Sequence, residues 1–248
     1  MAVKTRKNSI YVMYEGYREG YFLEHLAEYS NVRLNPQPCN GGSANQIITN
    51  GIKHSARDVN VYVFFDEDFE SKPGYSITDE ALEGLAAAWK IDRDALKGCP
   101  YRGLQKLNKD MRNPIIIVSF PQSIEGFLLR LLSIPPLEDL EDKTTQQLKH
   151  IIASYLDNTI FHNKDNEKIQ YYDKKITKYL DEIARLQQSE AQNKKHRQFL
   201  EAKIREYGHH KSKVQFMRFL SDKLPLPAII AKRAGNYELD ILLKAFEL

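Results

Sequence analysis

Short apolar runs that break off at acids set the pattern of the first half of the chain. Ser9-Ile10-Tyr11-Val12-Met13-Tyr14 stops at Glu15-Gly16, and Val61-Tyr62-Val63-Phe64-Phe65 stops at Asp66-Glu67-Asp68. A further run, Ile115-Ile116-Ile117-Val118, leads into Ser119. Their length and their Val, Ile, Phe and Tyr content predict buried strands. Residues 31–39 predict another strand, at a sheet edge, because Pro36 and Pro38 donate nothing to a neighbour. Between the strands the apolar period lengthens to that of helices. Phe22, Leu23 and Leu26 mark a helix after Gly16, and Ser43 caps another that runs to Ala56. Ala81, Leu82, Leu85 and Ala88 line a helix from Thr78 to Trp89, and Ile124, Phe127, Leu128, Leu131 and Leu132 line one over residues 123–133. Strand, helix, strand, helix, strand is the order of an α/β fold with a doubly wound parallel sheet. The segment 91–112 reads as a polar, basic loop.

After Pro135-Pro136 the pattern changes. Ile169, Tyr172, Ile176, Tyr179, Ile183 and Leu186 alternate at spacings of three and four, which is a coiled-coil seam. The phase continues through the polar Glu190, Asn193 and Arg197 and turns apolar again at Leu200, Ile204 and Tyr207. Two arrangements satisfy this: a helical hairpin turning near residues 189–195, or one long helix docked on a partner. The tail from Ala231 ends in a small amphipathic helix with Leu239, Ile241, Leu242, Leu243 and Phe246. The expected organisation is a sheet domain over residues 1–135, a helical arm over 136–215, and a segment 216–248 that packs back on the sheet domain.

Net charge, only +3 over 248 residues, implies no partner by itself. Its distribution says more: residues 143–213 hold fifteen Lys and Arg against nine Asp and Glu, so the arm is basic and the sheet domain acidic. Cys39 and Cys99 stand alone with no paired spacing, which suggests neither a zinc site nor a disulfide framework. No stretch approaches a membrane span, and the N-terminal apolar run is cut short by Glu15, unlike a signal peptide. A cytoplasmic location is the expectation.

The acids carry the candidate chemistry. Side chains alternate along a strand, so Asp66 and Asp68 point to one side and Glu67 to the other. Such a pair of hard oxygen donors suits a divalent cation such as Mg²⁺. Taken alone, Asp-x-Asp is common and reads as a solvated strand exit. Glu15, with Glu19 four residues on, is a second acidic cluster at a strand end, and the two converge if their strands are neighbours. Gly41-Gly42-Ser43 before a helix invites a phosphate, but no Lys follows as in a P-loop, so turn and cap is the reading. Tyr101, Arg102 and Lys106 in the loop 91–112 are candidate phosphate and base contacts, as are Lys211 and Lys213 in the arm. His209-His210 reads as surface.

Glu15-Gly16 with Glu19, followed by Asp66-x-Asp68, resembles a Toprim domain, the metal-binding module of topoisomerases, primases and OLD-family nucleases. Ser119-Phe120-Pro121-Gln122-Ser123-Ile124-Glu125-Gly126-Phe127-Leu128-Leu129 narrows this to the stand-alone Toprim proteins of antiphage systems, the RloB-like group and the Toprim effector of PARIS defence. The resemblance covers about the first half of the chain. Glu19 departs from the RloB-like pattern, whose acid falls one residue later, and agrees with the OLD and PARIS types. The resemblance implies a Mg²⁺-dependent nuclease, Mn²⁺ serving as well, with Glu15, Asp66, Asp68 and Glu125 catalytic. Glu15, Glu19, Asp66 and Asp68 are then the metal ligands. It further implies an antiphage, abortive-infection role, an ABC-type ATPase partner and tRNA as target. A homodimer through the arm is the other expected association. Two alternatives stay open: an OLD-like DNA nuclease, and a regulatory Toprim subunit without catalysis, since no catalytic Lys is identifiable. A topoisomerase is disfavoured, because no companion domain with a DNA-attacking Tyr is visible.

Overall fold

A computed structural model describes residues 8–39, 44–55, 60–67, 76–77, 79–104, 114–133, 137–157, 159, 161–186 and 191–248. Four strands form one all-parallel sheet: β1 (Ser9–Tyr14), β2 (Arg33–Pro38), β3 (Val61–Asp66) and β4 (Ile115–Ser119), in the order β2-β1-β3-β4. β2 is an edge strand and carries both prolines, as its sequence predicts. The register places Tyr14 of β1 beside Phe64, and Asp66 of β3 beside Ser119. Helices α1 (Tyr17–Glu28), α2 (Ala44–Ser55), α3 (Asp79–Trp89), α4 (Arg93–Leu96) and α5 (Ile124–Leu132) follow the strands. The expected Ser43 cap and the boundary at Pro135-Pro136 lie outside the described residues.

Both faces of the sheet are covered, which is why β3 reads as an unbroken apolar run. On one face Met13, Val63, Phe65, Ile116 and Val118 pack with Ile47 and Ile48 of α2 and Leu82, Leu85 and Trp89 of α3. On the other, Phe64 meets Phe127 of α5 edge-on at 6.2 Å, and Phe127 meets Phe22 of α1 at 5.7 Å. α2 lies so close to β3 that a Cβ on Gly51 would come within 2.3 Å of Val63.

One segment corrects the sequence expectation. The supposed loop 91–112 begins with α4 and a 3-10 turn at Tyr101–Gly103, and Leu96, Tyr101 and Leu104 are buried in the core. Phe65 presents its ring to Tyr101 at 5.5 Å and 86°, so this segment closes the face below β3.

The chain divides into two compact units, Met1–Ser154 with Lys223–Leu248, and Tyr155–Asp222. To the first belong α6 (Leu137–Glu141), most of α7 (Thr145–Asp157), α10 (Leu226–Ala231) and α11 (Tyr237–Ala245). Leu239, Leu242, Leu243 and Phe246 of the tail are fully buried there, and Arg130 of α5 is paired with Glu238 at 2.9 Å. The second unit holds α8 (Asn163–Arg185) and nearly all of α9 (Ala191–Lys223). Asp173 pairs with Lys211 and Glu182 with His196, so numbering rises on one helix as it falls on the other. That is an antiparallel hairpin, the first of the two arrangements expected. The seam is aromatic: Tyr207 contacts Tyr172 and Tyr179, with the half-exposed Tyr171 edge-on to it from beside the seam, and His210 stacks on Tyr172 at 5.7 Å. Among the described residues, no helix is long and apolar enough to cross a membrane.

Candidate carboxylate site

The chain leaves β1 toward β2 on one side and returns on the other as β3, so the strand order reverses between β1 and β3. At such a switch point the connections diverge and leave a crevice at the C-terminal strand ends. Glu15 follows β1 and Asp66 ends β3 at that crevice, and the Asp66 amide donates to Glu15 Oε2 at 3.4 Å. Glu19 enters from the first turn of α1, and Glu125 from the first turn of α5.

Local sequence explains each position. Gly16 leaves room for Glu19, whose Oε2 would lie 2.9 Å from a Cβ there. Gly20 lets α1 lie against the Tyr14 ring, which would be 2.8 Å from a Cβ. At Gly126 an added Cβ would sit 2.0 Å from the Pro121 carbonyl oxygen, so only glycine lets the helix carrying Glu125 start this close to the turn after β4.

Asp66 is held by two donors. Ser119 Oγ donates to its Oδ1 at 2.6 Å, and the Ile124 amide at the start of α5 donates to the same oxygen at 2.7 Å. Asp66 thus caps α5 from a neighbouring strand, where the helix dipole favours a negative group. Glu67 follows Asp66, and its buried carboxylate accepts the Gln122 amide at 3.2 Å. That bond anchors the turn leading into α5. Arg18, one-third exposed, forms an ion pair with Glu125 Oε1, while Glu125 Oε2 is buried without a hydrogen-bond partner among the described residues. Ser123 Oγ is buried and unpartnered in the same way.

Burial sorts the acids. Glu19 and Glu125 are 3% and 2% exposed, whereas Glu15 and Asp66 keep partial access to solvent. Burial pushes the Glu19 carboxyl up to about 7, with repulsion from Glu125 and Glu15 adding to it against its backbone bond and a hydrogen bond to Asp66. Asp66 is raised well above the usual carboxylate range, chiefly by burial, then by Glu19 and Glu125. Carboxylates this close cannot all ionise, so the pair Glu19–Asp66 retains a proton near neutral pH.

Among the described residues, no three His, Cys, Asp or Glu side chains form a ready-made metal shell. The donors nonetheless fit a hard divalent cation: Glu15, Glu19, Asp66 and Glu125 are all oxygen ligands. Among the described residues, one buried Glu125 oxygen has no hydrogen-bond partner. Asp68, the other half of the Asp-x-Asp pair, lies outside the described residues, as does Lys106 and the side chain of Arg102.

Of the expected nucleic-acid contacts, Tyr101 is a core residue, 2% exposed, and presents no ring face to a base. Lys211 and Lys213 lie on α9 in the helical unit, Lys211 bonded to Asp173 at 2.6 Å. Sequence reasoning passed over Arg18, Ser119 and the Ile124 amide. Ser119 had a signal, since it ends β4 as Asp66 ends β3; Arg18 had none, because its partner is 107 positions away. The fold and site define a class, an α/β protein whose parallel sheet gathers four carboxylates at its switch point. No protein-family model, curated protein or solved structure matches the chain.

Proposed function

We propose that the chain is a Toprim-type, Mg²⁺-dependent phosphodiesterase, Mn²⁺ substituting, that cuts RNA and above all tRNA as an antiphage effector. The observation that carries this reading is the convergence of Glu15, Glu19, Asp66 and Glu125 at one crevice, with a buried Glu125 oxygen unpartnered among the described residues. Bound among these donors, a divalent cation supplies positive charge for the phosphodiester and lowers the pKa of an attacking water. Asp66, fixed by Ser119 and Ile124, orients the ligand set. Glu15, partly open to solvent, takes the proton of the attacking water. Glu19 holds a proton in the metal-free cluster and gives it up when the site is charged. Arg18 holds Glu125 in place until then. Partners in this reading are the nucleic-acid substrate, an ABC-type ATPase that restrains or triggers cutting, and a second copy through the hairpin.

The test is calorimetry with Mn²⁺ on the wild type and on Asp66→Asn, together with induced expression followed by analysis of RNA and DNA ends. Expected are a binding isotherm lost in Asp66→Asn, cleaved tRNA beside intact DNA, and no cleavage in Glu15→Gln. Fragmented DNA with intact tRNA would give the site to a DNA nuclease. Toxicity that survives both substitutions would make the protein a non-catalytic subunit.

A further inference from the structure

The hairpin carries a surface that the carboxylate site does not use. Along α8 the positions 164, 168, 171, 175, 178, 182 and 185 alternate by four and three, so they share one face beside the seam. They are Lys164, Lys168, Tyr171, Lys175, Lys178, Glu182 and Arg185. α8 as a whole holds six basic and five acidic residues, yet five of the bases and only one of the acids fall in this register. Glu182 is also the member tied to the other helix, through His196 Nε2 at 2.8 Å.

Three further observations separate this line from an ordinary solvated face. Among the described residues, none of Lys164, Lys168, Lys178 and Arg185 is within salt-bridge distance of a carboxylate, whereas Lys203 and Lys211 are both paired. Tyr171 lies in the middle of the line, 49% exposed, with the Lys175 ammonium 5.4 Å from its ring centre. A shallow recess opens beside it, bounded by Lys164, Glu167, Lys168 and Tyr172.

We propose that this face of α8 binds an RNA strand, its basic residues tracking the phosphates and Tyr171 taking an unpaired base. The choice of RNA over DNA rests on the function proposed above; the surface itself does not. The line runs for about 32 Å, 21 residues at ~1.5 Å each. A linear array of cations without salt-bridge partners among the described residues complements a linear polyanion, and an exposed ring among them is the stacking element that single-stranded ligands need. A lipid surface would require an apolar stripe beside the charges, and Tyr171 is the sole apolar member of this register.

Fluorescence anisotropy of the full-length protein with a labelled RNA stem–loop, in EDTA so that nothing is cut, reads the surface apart from the carboxylates. Lys164→Gln/Lys168→Gln/Lys175→Gln/Lys178→Gln should weaken binding by roughly tenfold or more. It should also make the slope of log affinity against log salt shallower by about 0.7 for each phosphate that is no longer neutralised. Lys53→Gln/Lys97→Gln/Lys143→Gln/Lys149→Gln removes the same charge from the sheet unit and should stay within about twofold of wild type. Tyr171→Ala should weaken binding to the loop while leaving the salt slope unchanged, because stacking releases no counterions. RNA that the wild type binds through this stripe in EDTA but leaves uncut with Mn²⁺ would count against the carboxylate reading alone and leave this one standing. Equal losses in the two lysine variants, tighter binding of a DNA hairpin of the same sequence, or capture by the stripe of phosphatidylserine vesicles in preference to RNA would each overturn the proposal.

Discussion

Glu19 concentrates the electrostatic problem of this protein in one side chain. It is buried, it faces other carboxylates, and its titration is pushed up to about 7. The unfolded chain releases that proton near the ordinary value of about 4.5, so between there and about 7 the folded state binds more protons than the unfolded. The contribution of protonated Glu19 to stability is therefore complete below pH ~4.5 and is lost as pH rises through ~7. Glu19→Gln keeps the shape and removes the proton dependence. In EDTA, its melting temperature relative to wild type should increase from pH ~5 to pH ~8, as thermal scans across that range would read. Mg²⁺ should narrow the difference by stabilising the wild type only. A difference independent of pH would mean that Glu19 ionises freely and that the cluster is more open than its burial indicates.

Elements fix the site through a few close approaches. The turn Phe120–Ser123 is anchored by Glu67 to the Gln122 amide, and α5 begins against the Pro121 carbonyl at a distance that admits no Cβ. Gly126→Ala must push α5, and Glu125 with it, away from β4, at an expected cost of about 1–3 kcal/mol. Gly208 on α9 is the contrast: nothing lies within 4 Å of an added Cβ, so Gly208→Ala should stabilise its helix by roughly 0.5–1 kcal/mol. Denaturant melts of both variants give the two signs, and Mn²⁺ titration should show weakened binding only in Gly126→Ala. Equal stability in the two would mean that α5 has slack that the packing does not show.

At the scale of the whole molecule, the chain leaves the sheet unit for the hairpin and comes back. Its last residues finish the core that its first residues begin. His25 Nε2 meets the Leu224 carbonyl at 3.0 Å, Ser30 Oγ donates to the Phe246 carbonyl at 2.6 Å, and Asn8 donates to Glu247 at 2.7 Å. Truncation after Lys223 would uncover Leu239, Leu242, Leu243 and Phe246, each worth about 1.5–3 kcal/mol of burial, and should unfold the sheet unit. Joining residue 165 to 208 by a short linker should leave that unit folded, with a cooperative melt and Mn²⁺ binding intact. Far-ultraviolet circular dichroism and calorimetry on the two shortened chains compare them. A soluble, cooperative truncation product would show that the tail is dispensable.

What the sequence determined by itself is local. Apolar runs of strand length, the prolines of an edge strand and helix-period stripes specify β1 to β4, the helices α1, α2, α3 and α5 and the amphipathic tail, because backbone geometry repeats over a few residues. The acids at the strand ends were legible for the same reason: Glu15 and Asp66 stand where a run stops. The tertiary structure decided everything that depends on distant partners. The strand order β2-β1-β3-β4 put Glu15 next to Asp66, and close packing brought Glu19 and Glu125 to the same crevice. It turned Tyr101 from a surface residue into core, since a ring beneath Phe65 is worth more buried than wet. It also settled the arm as a hairpin, because a seam pattern gives the face of a helix and not the identity of what covers it. Contacts such as Arg18 with Glu125, 107 positions apart, leave no periodicity in a single chain.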